Sequence, residues 1–140
     1  MSLTLDQANQ IIAAAFKQAR GAGVKPLAIA VIDAHGNQKS VQRDDGASMF
    51  RIDVAIGKAW AAVGMGAASR VLAERAKGNP NFFVALAATG QGKFLPQTGA
   101  VLIKDAQGNV LGAAGASGGT GEEDEAACMF GIEAAGLKHA

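Results

Sequence analysis

The chain has 140 residues, a formal net charge of +1 from 13 basic and 12 acidic side chains, and a single cysteine. This length predicts one domain, residues 1–140, which buries enough surface to fold without disulfides. The balanced charge and an aromatic content of 5% disfavour nucleic acid or an anionic membrane surface as a partner. No apolar run is long enough to cross a bilayer, and Asp6 stands where a secretion signal would carry basic residues, so we expect a cytoplasmic location.

The first predicted element is an amphipathic helix over residues 5–20. Thr4 and Gln7 have the spacing of a capping box, and apolar residues then recur at helical intervals. Gly21 and Gly23 are typical of the end of such a helix.

Two predicted β-hairpins share the turn pattern D-A-x-G-N. The turn DAHGN occupies residues 33–37, and DAQGN returns at residues 105–109. Each lies between two apolar or alternating runs, which predicts one antiparallel sheet of at least four strands. The predicted strands are residues 27–32, 38–43, 99–104 and 110–116. A duplication and independent selection of the same turn residues both explain the match, since such turns favour Asp, Gly and Asn.

The longest predicted helix, residues 48–65, is apolar on two sides. Its only charged residues are Arg51, Asp53 and Lys58. A helix with two apolar sides is expected to be buried on both. In a chain of this length, another subunit could supply the second covering layer.

The remaining elements are two helices, an ambiguous segment and a loop. Residues 69–77 and 121–137 are predicted helices. Residues 82–88 are apolar without a decisive period, so helix and strand stay open. Residues 90–98, rich in glycine and polar residues, are expected to form a loop at the edge of a pocket.

A glycine-rich loop joins the last long strand to the last helix, in the sequence VLGAAGASGGTGEED of residues 110–124. Thr120 and Glu123 form a second capping box. The glycine spacing does not follow GxGxxG, and the carboxylates of residues 122–125 would repel phosphate, so nucleotide binding is disfavoured. Two interpretations stay open: residues 117–119 hold a carboxylate or carbonyl oxygen, or the glycines permit tight packing.

Lys58 is nearly alone among apolar neighbours, and a buried lysine requires a partner. The structural interpretation is an ion pair with Asp45, Asp53 or Asp124. The functional interpretation is that the ammonium binds an anionic ligand, or acts as a base after its pKa falls.

The other reactive side chains have simpler explanations. His35, in the first hairpin turn, is expected to be solvated and is only a weak metal-ligand candidate, so no metal site is predicted. His139 is expected to lie in a frayed end. Cys128 is expected to be a small buried residue. No pattern of a hydrolytic enzyme is present.

Four segments in order carry a resemblance to a known family: AVIDAHGN, VQRDDGAS, GKAWAA and DAQGNVLGAAGASGGTGEEDEAA. Over roughly residues 3–136 the chain resembles the GlcG/HbpS family of small haem-binding-like proteins, which includes the C-terminal domain of PduO-type adenosyltransferases. The resemblance implies a profilin-like α+β fold, with an antiparallel five-stranded sheet flanked by helices. It also implies a homo-oligomer, from dimer to octamer, and haem as a cofactor of some members, bound near subunit contacts.

The resemblance also implies which residues form a ligand pocket. The matching positions are Arg43, Asp45, Gly46, Lys58, Ser117, Gly118, Gly119 and Asp124. In place of the paired-glycine and proline segment of many members, this chain has residues 97–100, QTGA. We expect this segment to line the same pocket and to change its ligand preference.

Three functions follow as hypotheses. In the first, the protein binds haem, another tetrapyrrole or an anionic metabolite, with Arg43 and Lys58 on its carboxylates and residues 117–119 donating hydrogen bonds. In the second, Lys58 and Asp124 act as an acid/base pair on a hydroxy or oxo acid. In the third, the protein is a structural assembly partner of a metabolic enzyme.

Overall fold

The computed structural model describes residues 2–140, in which helices cover both faces of one antiparallel sheet. The elements in chain order are α1 (Leu5–Gly21), β1 (Ala28–Asp33), β2 (Gln38–Arg43), α2 (Phe50–Met65), α3 (Ser69–Gly78), α4 (Pro80–Thr89), β3 (Ala100–Lys104), β4 (Val110–Ser117), α5 (Gly121–Ala134) and β5 (Lys138–His139). The strand order is β2-β1-β4-β3-β5, and every neighbouring pair is antiparallel. The predicted α+β fold with a five-stranded sheet is therefore confirmed.

The two faces of the sheet bury different kinds of side chain. On one face, Ile29 and Val31 of β1 pack with Ile11 of α1 and Ile132 of α5 in the largest apolar cluster. The opposite face, which α2 covers, is lined mainly by alanine. Ile32 and Leu102 are its larger buried side chains. The buried alanines of this layer, from the sheet and from α2, are Ala28, Ala30, Ala55, Ala59, Ala62, Ala100 and Ala113. Small side chains let the helix axis approach the strands, so α2 lies close to the centre of the sheet.

Gly115 sets the depth at which α2 lies on β4. A Cβ atom at Gly115 would overlap the carbonyl oxygen of Ala55 and would lie 3.1 Å from the Cβ of Ala59. The backbones of helix and strand are therefore in direct contact. This contact brings the next turn of α2, which carries Lys58, to the end of β4.

The two hairpin turns share backbone-to-aspartate hydrogen bonds as well as the pattern D-A-x-G-N. Asp33 Oδ1 accepts from the amides of His35 and Asn37, both at 2.9 Å. Asp105 Oδ1 accepts from the corresponding amides of residues 107 and 109 at 3.0 and 2.9 Å. The strand pairing across each turn shifts register at the same place, between residues 31 and 32 and between residues 103 and 104. His35 is exposed in its turn, as predicted.

The C-terminal end differs from the prediction. The last helix ends at Ala134 rather than residue 137, and Gly136 turns the chain with a φ of 76°. His139 is not frayed. It belongs to β5 and pairs with Ile103 of β3, and its Nε2 lies 2.8 Å from an oxygen of Glu133. The expectation of a frayed end was wrong because a two-residue edge strand has no periodicity to read.

The structure also decides the conformation of one ambiguous segment and the start of the long helix. The ambiguous segment 82–88 is helical and forms most of α4, which begins at Pro80. The long helix begins at Phe50 rather than residue 48. Within residues 2–140, no helix combines the length and the apolar composition that a membrane crossing requires.

Gly131 and Gly64 provide a matched test of the close packing of α1 on α5. A Cβ at Gly131 would overlap the carbonyl oxygen of Ile11, whereas a Cβ at Gly64 of α2 meets nothing within 4 Å. We expect Gly131→Ala to lower the free energy of unfolding by about 1–3 kcal/mol through overpacking. Gly64→Ala should raise it by roughly 0.5–1 kcal/mol, because alanine restricts the unfolded chain. Urea unfolding measures both, and equal effects would contradict the close contact.

The second hairpin turn makes stability depend on pH. Hydrogen bonds from the Asn109 side chain and from the amides of Asn109 and Gln107 lower the pKa of Asp105 below its ordinary value, against the effect of burial. A carboxylate with a lowered folded pKa stabilises the fold above its unfolded pKa of about 3.9 and loses that contribution as the pH falls through the folded value. We therefore expect Asp105→Asn to be less stable than the wild type at neutral pH, with a difference that narrows below about pH 4.

Urea unfolding of both proteins at several pH values tests this, with Asp53→Asn, at an exposed position of α2, as the control. A difference between Asp105→Asn and wild type that stays constant into the acid range would contradict the role of the carboxylate.

Candidate functional site

A cavity of about 410 Å³ opens between α2, the loop before β3 and the start of α5. Its lining is polar on the floor and mixed at the rim. The lining residues are Arg51, Val54, Lys58, Leu95, Gln97, Thr98, Ser117, Gly119, Gly121, Glu122 and Asp124. Cavities of this size accommodate small ligands.

A buried ion pair forms the floor. Lys58 Nζ lies 3.2 Å from Asp124 Oδ2, and the two residues are 6% and 1% exposed. The same ammonium donates to the carbonyl oxygen of Ala116 at 3.0 Å. Gly99 makes room for it, because a Cβ there would lie 2.6 Å from Nζ. Of the three aspartates considered from the sequence, Asp124 is the partner of Lys58.

The glycine-rich loop is fastened to the same carboxylate. Asp124 Oδ1 accepts from the amide of Gly119 at 2.9 Å, so both carboxylate oxygens have a donor. A Cβ at Gly118 would overlap the carbonyl oxygen of Pro26, and one at Gly119 would lie 2.7 Å from Cγ1 of Val24. The tight-packing interpretation of these glycines is therefore supported, and the amide of Gly119 is already used within the protein.

Arg51 is the cation at the rim. Its Nη1 donates to Ser117 Oγ at 3.3 Å, and Ser117 is 1% exposed while Arg51 is exposed. Within residues 2–140, Arg51 forms no ion pair. Arg51 was not among the site residues predicted from the sequence. Its only signal was its place two helical turns before Lys58, which puts both side chains on one side of α2.

Arg43, the arginine predicted from the sequence to bind the ligand, lies outside the cavity. Arg43 is exposed and donates to the carbonyl oxygen of Ala47 at 2.6 Å. Arg43 and Ser117 both pair with Ala28, from opposite sides, so roughly 10 Å separates their strands. Asp45 is also exposed.

The structure thus divides the residues that the resemblance singled out. Lys58, Ser117, Gly119 and Asp124 line the cavity. Arg43, Asp45, Gly46 and Gly118 are outside its lining, and Gly118 borders a neighbouring cavity beside Lys25.

The wall opposite the glycine loop comes from the segment before β3. Of the segment 97–100, Gln97 and Thr98 line the cavity as expected, whereas Gly99 and Ala100 are not in its lining, and Leu95 lines it beside them. Leu95 packs on α2 at Gly57. A Cβ added at Gly57 would lie 3.0 Å from the Cβ of Leu95. The predicted loop 90–98 therefore does edge a pocket.

Two further side chains contact α5 or belong to it but do not line the cavity. Arg70 of α3 makes a two-pronged contact with Glu125 of α5, with bonds of 3.0–3.2 Å, and this contact raises the pKa of Arg70. Cys128 is fully buried, and burial raises the pKa of its thiol. The prediction of a small buried cysteine is confirmed, and its thiol is not a nucleophile in this state.

The donor set of the cavity suits carboxylates better than metals. No three His, Cys, Asp or Glu side chains of residues 2–140 gather as a metal site requires. His35 lies in the first hairpin turn, outside the lining. Among the described residues that line the cavity, none is a His, Cys or Met that could ligate iron axially.

Known proteins resemble this chain over nearly its whole length. The family model of the haem degrading protein HbpS-like family matches residues 3–133. A haem complex of PduOC superposes with a TM-score of 0.86 at 28% identity, covering 98% of this chain and 97% of that one. A double mutant of HbpS from Streptomyces reticuli gives a TM-score of 0.82 at 28% identity, covering 95% of this chain and 86% of that one.

A curated relative is longer than this chain. The corrinoid adenosyltransferase PduO of Citrobacter freundii is 32% identical over 124 residues, which are 89% of this chain and 36% of the relative. The chain therefore spans about a third of that relative.

A mutant cycle tests the buried pair. Lys58→Met leaves Asp124 as an unpaired buried carboxylate, so we expect a loss of about 3–5 kcal/mol in the free energy of unfolding. The double variant Lys58→Met/Asp124→Leu should lose much less than the sum of the two single variants, because no charge is left uncompensated. Urea unfolding of the four proteins gives the coupling energy. Additive losses would show that the two charges do not stabilise one another.

Proposed function

The chain belongs to the HbpS-like family, and from that membership and the chemistry of the cavity we propose that it binds a small ligand bearing a carboxylate, with haem as the named candidate. A solved structure with the same fold is a haem complex, and haem carries two propionates. The proposal follows the first of the three hypotheses from the sequence.

The proposal is supported by hydrogen-bond donors of the cavity that a ligand can reach: Lys58 on the floor, and Arg51 and Ser117 at the rim. Two of the three N–H donors of Lys58 have acceptors in the protein, which leaves one for a ligand. Arg51 and Ser117 add donors at the rim, and Val54 and Leu95 add apolar surface. Cations with apolar walls beside them suit an organic acid better than a purely ionic ligand.

Haem fits this cavity only through its carboxylates. Arg51 and Lys58 are suitable partners for propionates. The lining supplies no axial ligand, so the cavity assigns no role to the iron. The acid/base hypothesis is less favoured, because Lys58 and Asp124 already neutralise one another and both oxygens of Asp124 are occupied.

We also propose that the protein assembles with copies of itself. Met49 and Phe50, at the start of α2, are 73% and 64% exposed, and Val84 of α4 is 73% exposed. These apolar side chains would be covered in an oligomer, in agreement with the expected second layer over α2. A cytoplasmic location remains a prediction.

A haemin titration tests the ligand. The wild-type protein should give a saturable Soret band distinct from that of free haemin. Val54→Glu adds a carboxylate to the cavity wall and should weaken binding by about tenfold or more, since it repels propionates. Val71→Glu is the matched control, since Val71 is an exposed valine of α3 outside this cavity. Val84→Glu is a second comparison, placed in an apolar cavity beside α4 that Val84 lines with Phe83 and Phe94.

The outcomes are distinct. A spectrum equal to that of free haemin would remove haem as the ligand. If Val84→Glu weakened binding and Val54→Glu did not, the ligand would lie in the apolar cavity beside α4, and the proposed site would be wrong.

A further inference from the structure

The two cations of the cavity are not equivalent. The charge of Lys58 is compensated by Asp124 at 3.2 Å in a buried pair. Arg51 has no such carboxylate partner within residues 2–140. An incoming anion would compete with Asp124 for Lys58 but would find Arg51 free.

The guanidinium of Arg51 is also held in place. Its Nη1 is fixed by Ser117, whose side chain is buried and cannot move far. Nη2 and Nε keep their donors, and they form a flat fork that matches a carboxylate. Because Ser117 Oγ accepts from Arg51, its hydroxyl hydrogen remains able to donate to the same ligand.

We propose that Arg51, oriented by Ser117, is the residue that recognises the ligand's carboxylate, and that the Lys58–Asp124 pair is the scaffold beneath it. This inference rests on the proposed function, which it makes specific to one side chain. It moves the recognition role from Arg43 and Lys58, which the sequence indicated, to a residue outside the family-like segments.

The charges of the lining also select the ligand class. Two cations, Arg51 and Lys58, face two carboxylates, Asp124 and Glu122, and Glu122 lies at the exposed rim 3.9 Å from Arg70. The lining is therefore close to neutral, with one uncompensated guanidinium. One carboxylate group of a ligand, such as a single propionate of haem, fits this balance. A phosphate with nearly two charges would be repelled by the carboxylates at close range.

The experiment has two arms that use different probes. In the first, haemin and haemin dimethyl ester are titrated into wild type and into Arg51→Gln, Arg51→Lys, Arg43→Gln and Arg75→Gln, with thermal unfolding as a check on folding. Loss of a charged hydrogen bond should weaken haemin binding to Arg51→Gln about 10- to 100-fold. Arg51→Lys should recover part of the loss. Arg75→Gln, an exposed substitution on α3, should bind as wild type does, and the dimethyl ester should not distinguish Arg51→Gln from wild type.

In the second arm, sodium propionate and inorganic phosphate are titrated at constant ionic strength while the arginine Nε–Hε signals are followed by NMR. The Arg51 signal should shift with propionate more than with phosphate, and the Arg43 signal should stay in place.

The two arms separate failure of the inference from failure of the proposed function. If wild type does not bind haemin but propionate shifts Arg51, haem is wrong and the role of Arg51 stands. If haemin binds wild type and Arg51→Gln equally, or if Arg43→Gln alone weakens it, the inference is overturned while ligand binding stands. A propionate titration that leaves Arg51 unmoved also overturns it.

Discussion

The buried pair of Lys58 and Asp124 is the interaction on which the site depends. Removing two charges from water is costly, and further hydrogen bonds help to offset that cost. Here Lys58 also donates to the carbonyl oxygen of Ala116, and Asp124 also accepts from the amide of Gly119. One cluster of four groups therefore joins α2, the end of β4 and the start of α5. The cavity is the space above this cluster, so its floor cannot shift without breaking the pair.

Close backbone packing is what brings these groups together. Lys58 reaches Asp124 because α2 lies against β4 at Gly115, and because Gly99 leaves space for its ammonium. A side chain at either glycine would push the lysine away from its partner. The 19 glycines of the chain and the alanines between α2 and the sheet are thus connected with the site. Small side chains bury less apolar volume, but they let helix and strand backbones approach closely. This close approach positions the charged groups.

Local signals predicted most of the fold and part of the site. Both capping boxes, both hairpin turns and the pairing of Lys58 with a carboxylate could be anticipated, since each depends on residues close in sequence or on the cost of an unpaired buried charge. β5 could not, because its two residues are ordered only by pairing with β3. Arg51 could not either. Nothing in its neighbours distinguishes it from Arg43, and only the packing of α2 beside β4 decides which arginine reaches Ser117.

Similarity of fold therefore does not determine the ligand. Structures with 28% identity share this backbone over nearly its whole length, although most of their side chains differ from those of this chain. The rim of this chain consists of Arg51, Glu122 and the segment with Gln97 and Thr98. The segment of residues 97–100 was expected from the sequence to change the ligand preference, and two of its residues lie at this rim. If the floor provides rigidity and the rim provides recognition, substitutions at the rim should change which ligand binds, whereas substitutions at the floor should change whether the protein folds.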